Sequence, residues 1–464
     1  MKNCTLGQIA EYAGARLSRP DLADQTARGV SIDTRTLEEG EVFLPLIGER
    51  LDAHQFVNQA FEKGALASFF DQDHTLPDTD HPFLLVEDTE KAFRRLALHY
   101  RNSLKAQVIG VTGSNGKTTT KDILYSVLRR HFCTNKTIGN FNNQIGVPRT
   151  LLDLEEETAY GIVEMGMSHF GEIAMLSKLA QPHIAIITNV GEAHLEELGS
   201  RENIARAKME ITEGLGPDDL FIYNSDNEIL QKEVESRSLP CRIIRFGQND
   251  QADFKLKLFS SNAGGSRFFV NGKPWQINLL GSYQMYNAVV GIIVGQLLGL
   301  SDEEIQKGLH VEDRTKMRTE LVNCHGFDLL VDCYNSSPQS LREALKTTAL
   351  LNGYRKKIAI LGDMKELGER EKAIHYENGQ EIDPSVFSDL IFYGPLSKYM
   401  LQGAEKNFSS SRLFWFSSKS DLVNEMKNLI EPNTLVLVKA SRTMRLEEVV
   451  ESISTITTNR CVKK

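Results

Sequence analysis

Apolar positions follow different rhythms in three stretches of this chain. From about residue 103 to 316, near-continuous apolar runs alternate with helical patterns; the runs are "AQVIGVT", "YGIVEM", "HIAIITNV" and "DLFIYNS". Runs of that kind suit parallel strands covered on both faces. Next, "FKLKLFSS" and "SRFFVNGKPWQINLLG" alternate around Asn271-Gly272, which predicts a β-hairpin appended to the parallel sheet. From about 317 the βα rhythm returns with "KIAILGDM", "DLIFYG", "RLFWFS" and "TLVLVKAS", a second and smaller doubly wound region. The first hundred residues mix short strands and helices, such as "EVFLPLIG" followed by "HQFVNQAFEKGA". The expectation is an α/β chain of three domains: a small α/β domain at 1–102, a central parallel-sheet domain at 103–316, and a Rossmann-like domain at 317–464. Ligands of such sheets bind beyond the carboxyl ends of the strands. Gly113, Glu164, Asn189 and Asp363 fall there.

Bulk properties narrow the class. At 464 residues the chain exceeds what one core usually serves. A net charge of -9 argues against a general nucleic-acid binder. The six cysteines (Cys4, Cys133, Cys241, Cys324, Cys333, Cys461) are scattered without a CxxC pair, which reads as reduced thiols in a cytoplasmic protein. The N-terminus lacks the apolar core of a signal peptide. The most apolar stretch, "NAVVGIIVGQLLGL" at 287–300, is too short and interrupted to span a bilayer and reads as a buried helix. No membrane or nucleic-acid partner is expected.

The chemistry begins at "VIGVTGSNGKTTTKDIL", residues 108–124. A strict phosphate loop reads G-x-x-x-x-G-K-[ST], and its first glycine would fall on Val111; here the form is T-G-x-x-G-K-T. The physics is the same. Glycines let backbone N–H groups turn toward phosphate oxygens, and the helix N-terminus adds its dipole. Gly113, Ser114, Asn115, Gly116, Lys117, Thr118 and Thr119 are the candidate nucleotide contacts. Lys117 can reach the β- and γ-phosphates, and the Thr118 hydroxyl can ligate Mg²⁺. A plain glycine-rich turn would leave the Lys and Thr directly after the last glycine unexplained.

Glu164 ends the strand in "VEMGMS"; there a carboxylate could complete a hard-cation site with Thr118, or simply cap a turn. His194 lies just past the next strand, in "TNVGEAHLEELGS". The following helix pattern, "SRENIARAKMEITEGL", has Ser200 as N-cap and Ile204, Ile211 and Leu215 as its apolar stripe. Lys208 falls on that stripe. It can snorkel, pair with a carboxylate, or change its charge. In the last case a neutral amine could take up CO₂, and the resulting carbamate could ligate a second metal ion beside His194.

Together these segments resemble the Mur ligases, ATP-dependent amide-forming enzymes of peptidoglycan synthesis, over essentially the whole chain. "GVTGSNGKTTT" is similar to the family's ATP loop. "VEMGMS" and "NVGEAHLEELGSRENIARAKMEI" are similar to its metal and carbamylated-lysine segments. "TIGNFNNQIGVPRTLL", "DCYNSSPQSL", "LGDMKELGE" and "VKASRTMRLEEVV" resemble the branch that adds D-alanyl-D-alanine to UDP-N-acetylmuramoyl-tripeptide. The diamino-acid-adding branch carries D-N-P-R in its last domain, and that tetrapeptide does not occur here. "SIDTRTLEEGEVFLPLIGERLDAHQF" resembles the uridine-nucleotide domain shared by both branches.

The resemblance implies roles. Lys117 and Thr118 would serve ATP and Mg²⁺, with Glu164 sharing the metal. His194 and carbamylated Lys208 would hold the second Mg²⁺. Asn287 would contact adenine; Arg318, Asp332, Tyr334 and Asn335 would close over the nucleotide from the third domain. Asn142 and Asn143 would lie near the reacting carboxylate, and Asp33, Thr34 and Arg35 belong to the uridine side. The chain departs from the family pattern in three places: Tyr283 where His is common, Lys439-Ala440-Ser441-Arg442 for K-G-S-R, and "DAH" at 52–54 for D-G-H. The implied reaction is acyl-phosphate formation followed by attack of the D-alanyl-D-alanine amine, in a monomeric cytoplasmic enzyme. Rivals are another amide ligase of the family (folylpolyglutamate-type included), a non-ligating ATP switch, and a small-molecule kinase.

Overall fold

The computed structural model describes residue 1, residues 4–48 and residues 51–456. Cys461 lies outside the described residues; the other five cysteines are free thiols. Three larger sheets follow one another along the chain. A five-stranded sheet is built from strands between Arg16–Leu17 and Phe83–Val86, a nine-stranded sheet from Gln107–Thr112 to Lys273–Ile277, and a six-stranded sheet from Glu320–Asn323 to Thr434–Lys439.

The strand Gln107–Thr112 lies inside the nine-stranded sheet, parallel to Tyr160–Glu164 on one side and Ile184–Ile187 on the other. Apolar side chains leave both faces of this strand. Val108 joins one core cluster, and Ile109 and Val111 join another across the sheet. Two covered faces explain the unbroken apolar runs. The helix Gln284–Leu297 packs on the second face beside Lys117–Leu128 and is buried almost all round, which accounts for its apolar sequence. Among the described residues no helix is long and apolar enough to cross a membrane.

Two local expectations need correction. The appended hairpin is a three-stranded antiparallel ribbon, Phe254–Asn262, Gly265–Val270 and Lys273–Ile277. Asn271 (φ +49°) makes one tight turn with its glycine neighbour, and a second turn between Asn262 and Gly265 adds a strand. The helix after Ser200 is also shorter than its stripe suggests. It runs Arg201–Met209, with the Ser200 side chain accepting from Asn203 N at 3.1 Å, then tightens into a 3-10 turn over Glu210–Gly214. Ile211 and Leu215 are buried but lie beyond the α-helix. The cause is tertiary. The Glu210 carboxylate accepts from Gly171 N (2.8 Å) and Ala174 N (3.1 Å), capping the helix Glu172–Ala180, and Ile211 O accepts from Ser177 Oγ at 2.6 Å. Docking onto that neighbour overrides continuation of the helix.

Candidate active site

The phosphate loop forms where the strand Gln107–Thr112 meets the helix Lys117–Leu128. Gly116 is the N-cap with φ +82°, and a Cβ there would lie 2.5 Å from Asn287 Oδ1. Gly113 has φ +151°, and a Cβ there would run into Thr188 Oγ1. Both positions therefore require glycine, for backbone conformation and for close approach. The next strand clamps the loop. Asn189 Oδ1 accepts from Asn115 N (2.9 Å), Asn189 Nδ2 donates to Asn115 O (3.1 Å), and Thr188 Oγ1 donates to the same carbonyl (2.5 Å). Ser114 Oγ accepts from Gly191 N at 2.8 Å. Lys117 folds back to donate to Gly113 O at 2.7 Å; burial lowers its pKa, against the opposing pull of Glu164.

Glu164 ends the neighbouring strand and is 1 % exposed. Its Oε1 accepts from Asn142 Nδ2 at 2.9 Å, and Oε2 is buried without a hydrogen-bond partner. Lys121 Nζ stands 3.9 Å from that oxygen while donating to Thr137 O at 2.9 Å. Thr118 is buried at the start of the same helix and lines the same cavity as Glu164. A buried carboxylate oxygen without a donor, beside a hydroxyl and a phosphate loop, is the donor set a hard cation takes. The residues present fit Mg²⁺.

His194 has φ +65°, and its Nδ1 lies 2.8 Å from Glu366 Oε2 without hydrogen-bond alignment. His194 holds the Glu366 carboxyl below its usual range. Lys208 is 1 % exposed, so it does not snorkel, and no ion pair of it occurs among the described residues. Burial drives its pKa well down, and the neighbouring Lys117 drives it further.

One cavity of about 910 Å³ gathers most of the sequence candidates. Its lining includes Ser114 to Thr119, Asn142, Asn143, Glu164, His194, Asn287, Arg318, Asp332, Tyr334 and Asn335. Gly113 and Lys208 do not line it, though Lys208 lies close enough to Lys117 to be felt electrostatically. Asn143 Oδ1 also accepts from Gly146 N at 3.0 Å, at the start of the helix Gly146–Leu152. Asn287 Nδ2 donates to Gln284 Oε1 (2.8 Å), and its Oδ1 accepts from Thr120 Oγ1 (3.2 Å).

Asp33, Thr34 and Arg35 lie outside this cavity, in the N-terminal sheet region. Asp33 pairs with Arg35, which pulls its carboxyl down to about 2, and Thr34 Oγ1 donates to Gln59 Oε1 at 2.9 Å. Asp363 follows its strand as expected but turns inward, its Oδ1 accepting from Ser397 N at 2.8 Å.

Several participants escaped sequence reading. Asn115 bonds across the cavity to Gln339 Oε1 (3.2 Å) and accepts from Ser337 Oγ (3.3 Å). Lys439, 2 % exposed, donates to Asp332 Oδ2 (2.6 Å) and Asn335 O (3.1 Å). These pairs are far apart in sequence and carry no local spacing; only the lysine of the K-A-S-R segment could have been found.

Comparison with known proteins places the arrangement. Residues 111–295 match the Mur ligase middle domain, and residues 317–442 match the Mur ligase, glutamate ligase domain. The UDP-N-acetylmuramoyl-tripeptide–D-alanyl-D-alanine ligase of Bacillus subtilis (strain 168) is 41 % identical over 97 % of this chain and 98 % of its own. A crystal structure of MurF from Acinetobacter baumannii superposes with a TM-score of 0.88 at 29 % identity, covering 98 % of this chain and 99 % of that one. The MurF ligase of Thermotoga maritima in complex with ADP gives 0.79 at 29 % identity, covering 92 % and 97 %.

Proposed function

This chain belongs to the Mur ligase family, and from that premise we propose that its cavity joins D-alanyl-D-alanine to UDP-N-acetylmuramoyl-tripeptide at the expense of ATP. One observation carries the reading: the phosphate loop, an unpartnered buried carboxylate oxygen and the third-region residues Arg318 and Asp332 meet in one cavity. Kinases and ATP switches share those parts, and the likeness to the D-alanyl-D-alanine-adding relatives favours the ligase.

A carboxylate does not acylate an amine at neutral pH, because its oxygen leaves too poorly. Activation proceeds by transfer of the γ-phosphoryl of ATP. A carboxylate oxygen of the tripeptide attacks the γ-phosphorus, and ADP leaves. The free amine of D-alanyl-D-alanine then attacks the acyl carbon; inorganic phosphate leaves with the electron pair of the broken C–O bond, and the amine gives up a proton. The Ser114 and Asn115 N–H groups are held by Asn189, so the N–H groups at the start of the helix Lys117–Leu128 and the Lys117 side chain bind the phosphates and balance charge as it shifts toward ADP. Arg318 adds positive charge from the opposite wall. Asn142 orients Glu164 and stands with Asn143 on the acceptor side. Asn287 faces adenine. Asp332, Tyr334 and Asn335 cover the nucleotide and exclude water that would hydrolyse the acyl phosphate.

Thr118 and Glu164 would hold one Mg²⁺, and His194 with Lys208 a second; bound there, the ions would neutralise phosphate charge. For Lys208 to be a ligand, its neutral amine must take up CO₂ and release a proton, giving a carbamate. Its burial, its lowered pKa and its lack of a carboxylate partner support that reading. We further propose a monomeric cytoplasmic enzyme of three domains, 1–102, 103–316 and 317–464, with Asp33, Thr34 and Arg35 on the uridine side.

The test is product analysis. ATP, the tripeptide nucleotide and D-alanyl-D-alanine should give ADP, phosphate and the pentapeptide nucleotide in equal amounts. Phosphate release without the acceptor would favour a switch; a stable phosphorylated product would favour a kinase.

A further inference from the structure

Arg318 reaches the cavity from an unusual stretch of backbone. Met317 and Thr319 on either side of it both have positive φ, +62° and +49°. For β-branched Thr319 the left-handed region is a true outlier that persists only where the surroundings hold it. The surroundings do hold it. Thr319 is 5 % exposed. Asp332 Oδ1 accepts from Thr319 N at 3.0 Å, and the other Asp332 oxygen is fixed by buried Lys439 at 2.6 Å. The Thr319 hydroxyl meets Tyr283 Oη at 2.8 Å. Tyr283 precedes the helix Gln284–Leu297 that packs on the central sheet, whereas Asp332 and Lys439 belong to the six-stranded region. Thr319 therefore ties the two regions together at one side chain.

Between the two strained residues, the Arg318 guanidinium stacks on the Tyr334 ring at 4.2 Å, and its Nε is buried without a hydrogen-bond partner. It is close enough to Lys117 to be felt there electrostatically. We propose that Thr319 and Tyr283 are positioning residues: their hydrogen bond holds the left-handed kink that aims Arg318 across the cavity at the transferring phosphoryl group. The proposal rests on the reading of Arg318 as a nucleotide-facing residue.

Five variants test it, with steady-state kinetics in ATP and the thermal midpoint of each protein. Thr319→Val keeps the branched shape and deletes the hydroxyl; Tyr283→Phe deletes its partner. Each should lower kcat by about five- to tenfold, the weight of one neutral hydrogen bond, with KM for ATP within about twofold. The Tyr283→Phe/Thr319→Val pair should be no worse than Thr319→Val alone, because that variant already removes the bond to Tyr283 together with the weaker 3.4 Å bond to Asp332. Thr319→Ser should restore kcat. Unchanged kcat in both single variants, or losses that multiply in the pair, would overturn the proposal. If Thr319→Val fails to fold, Tyr283→Phe alone decides. Arg318→Ala separates the premise from the inference. If it is fully active, the nucleotide-facing reading fails; if it is impaired while Tyr283→Phe and Thr319→Val are not, only the positioning role fails.

Discussion

Replacing Asn189 with alanine tests whether the phosphate loop is preorganised from the neighbouring strand. The side chain supplies two hydrogen bonds to the Asn115 backbone, at 2.9 and 3.1 Å. The Asn115 carbonyl keeps the Thr188 hydroxyl at 2.5 Å, so it remains satisfied. The Asn115 N–H loses its carboxamide partner and is free to turn out of the cradle. At about 1 kcal/mol net for each bond, and with one acceptor still served, the binding-competent loop loses about 1–2 kcal/mol against its alternatives. Apparent affinity falls in proportion to the competent fraction, so nucleotide should bind about 5- to 30-fold more weakly. At saturating ATP the loop is driven back into shape, and kcat should stay within about twofold. Calorimetric titration with ADP and steady-state kinetics in ATP measure the two quantities. Affinity within twofold of the parent would refute the preorganisation argument. A tenfold loss of kcat at unchanged affinity would show that Asn189 acts on the reacting groups instead.

Lys208→Met should abolish ligation yet stabilise the protein measured free of metal and CO₂, by on the order of 1 kcal/mol, because it removes a buried amine without a carboxylate partner. The folded pKa of Lys208 lies below its unfolded value, so unfolding takes up a proton between the two. The gain should therefore be largest near neutral pH and shrink as pH rises toward the ordinary lysine range; urea midpoints across pH decide it, and a less stable variant at pH 7 would contradict the charge argument. Lys439→Met should cost about 2–3 kcal/mol in the same assay, since it leaves the half-buried Asp332 carboxylate without its cation, and Asp332→Asn should recover part of that loss. A midpoint unchanged in Lys439→Met would mean that water pairs Asp332 equally well.

Legibility in the sequence followed the range of the interaction. The loop glycines, the doubly covered strands and the Ser200 cap are local, and each was readable from spacing and residue type. The helix after Ser200 was misread because its end is set by Glu210 reaching the backbone of Gly171 and Ala174, thirty-nine and thirty-six residues away. The ribbon strand was missed because only the Asn271 turn has a strong signature. The groups that carry charge into the cavity were legible: Lys117, Glu164, His194 and Arg318. What aims them was not. Asn115 meets Gln339 across 224 residues, Tyr283 meets Thr319 across 36, and Lys439 meets Asp332 across 107.

That division has an electrostatic consequence. Lys117 and Lys208 stand near one another with pKa values lowered by burial, and Arg318 faces Lys117 from the other wall. Glu164 and Glu366 are the carboxylates that pull on Lys117, and Asp332 is already committed to Lys439. Basic groups crowded in this way hold less than their full charge in a folded interior until an anion shares it. The triphosphate of ATP is the anion this chemistry brings. The helices Lys117–Leu128 and Arg201–Met209 carry Lys117 and Lys208, while Arg318 comes from the strained turn before the six-stranded sheet, so anion binding favours the arrangement in which both regions meet.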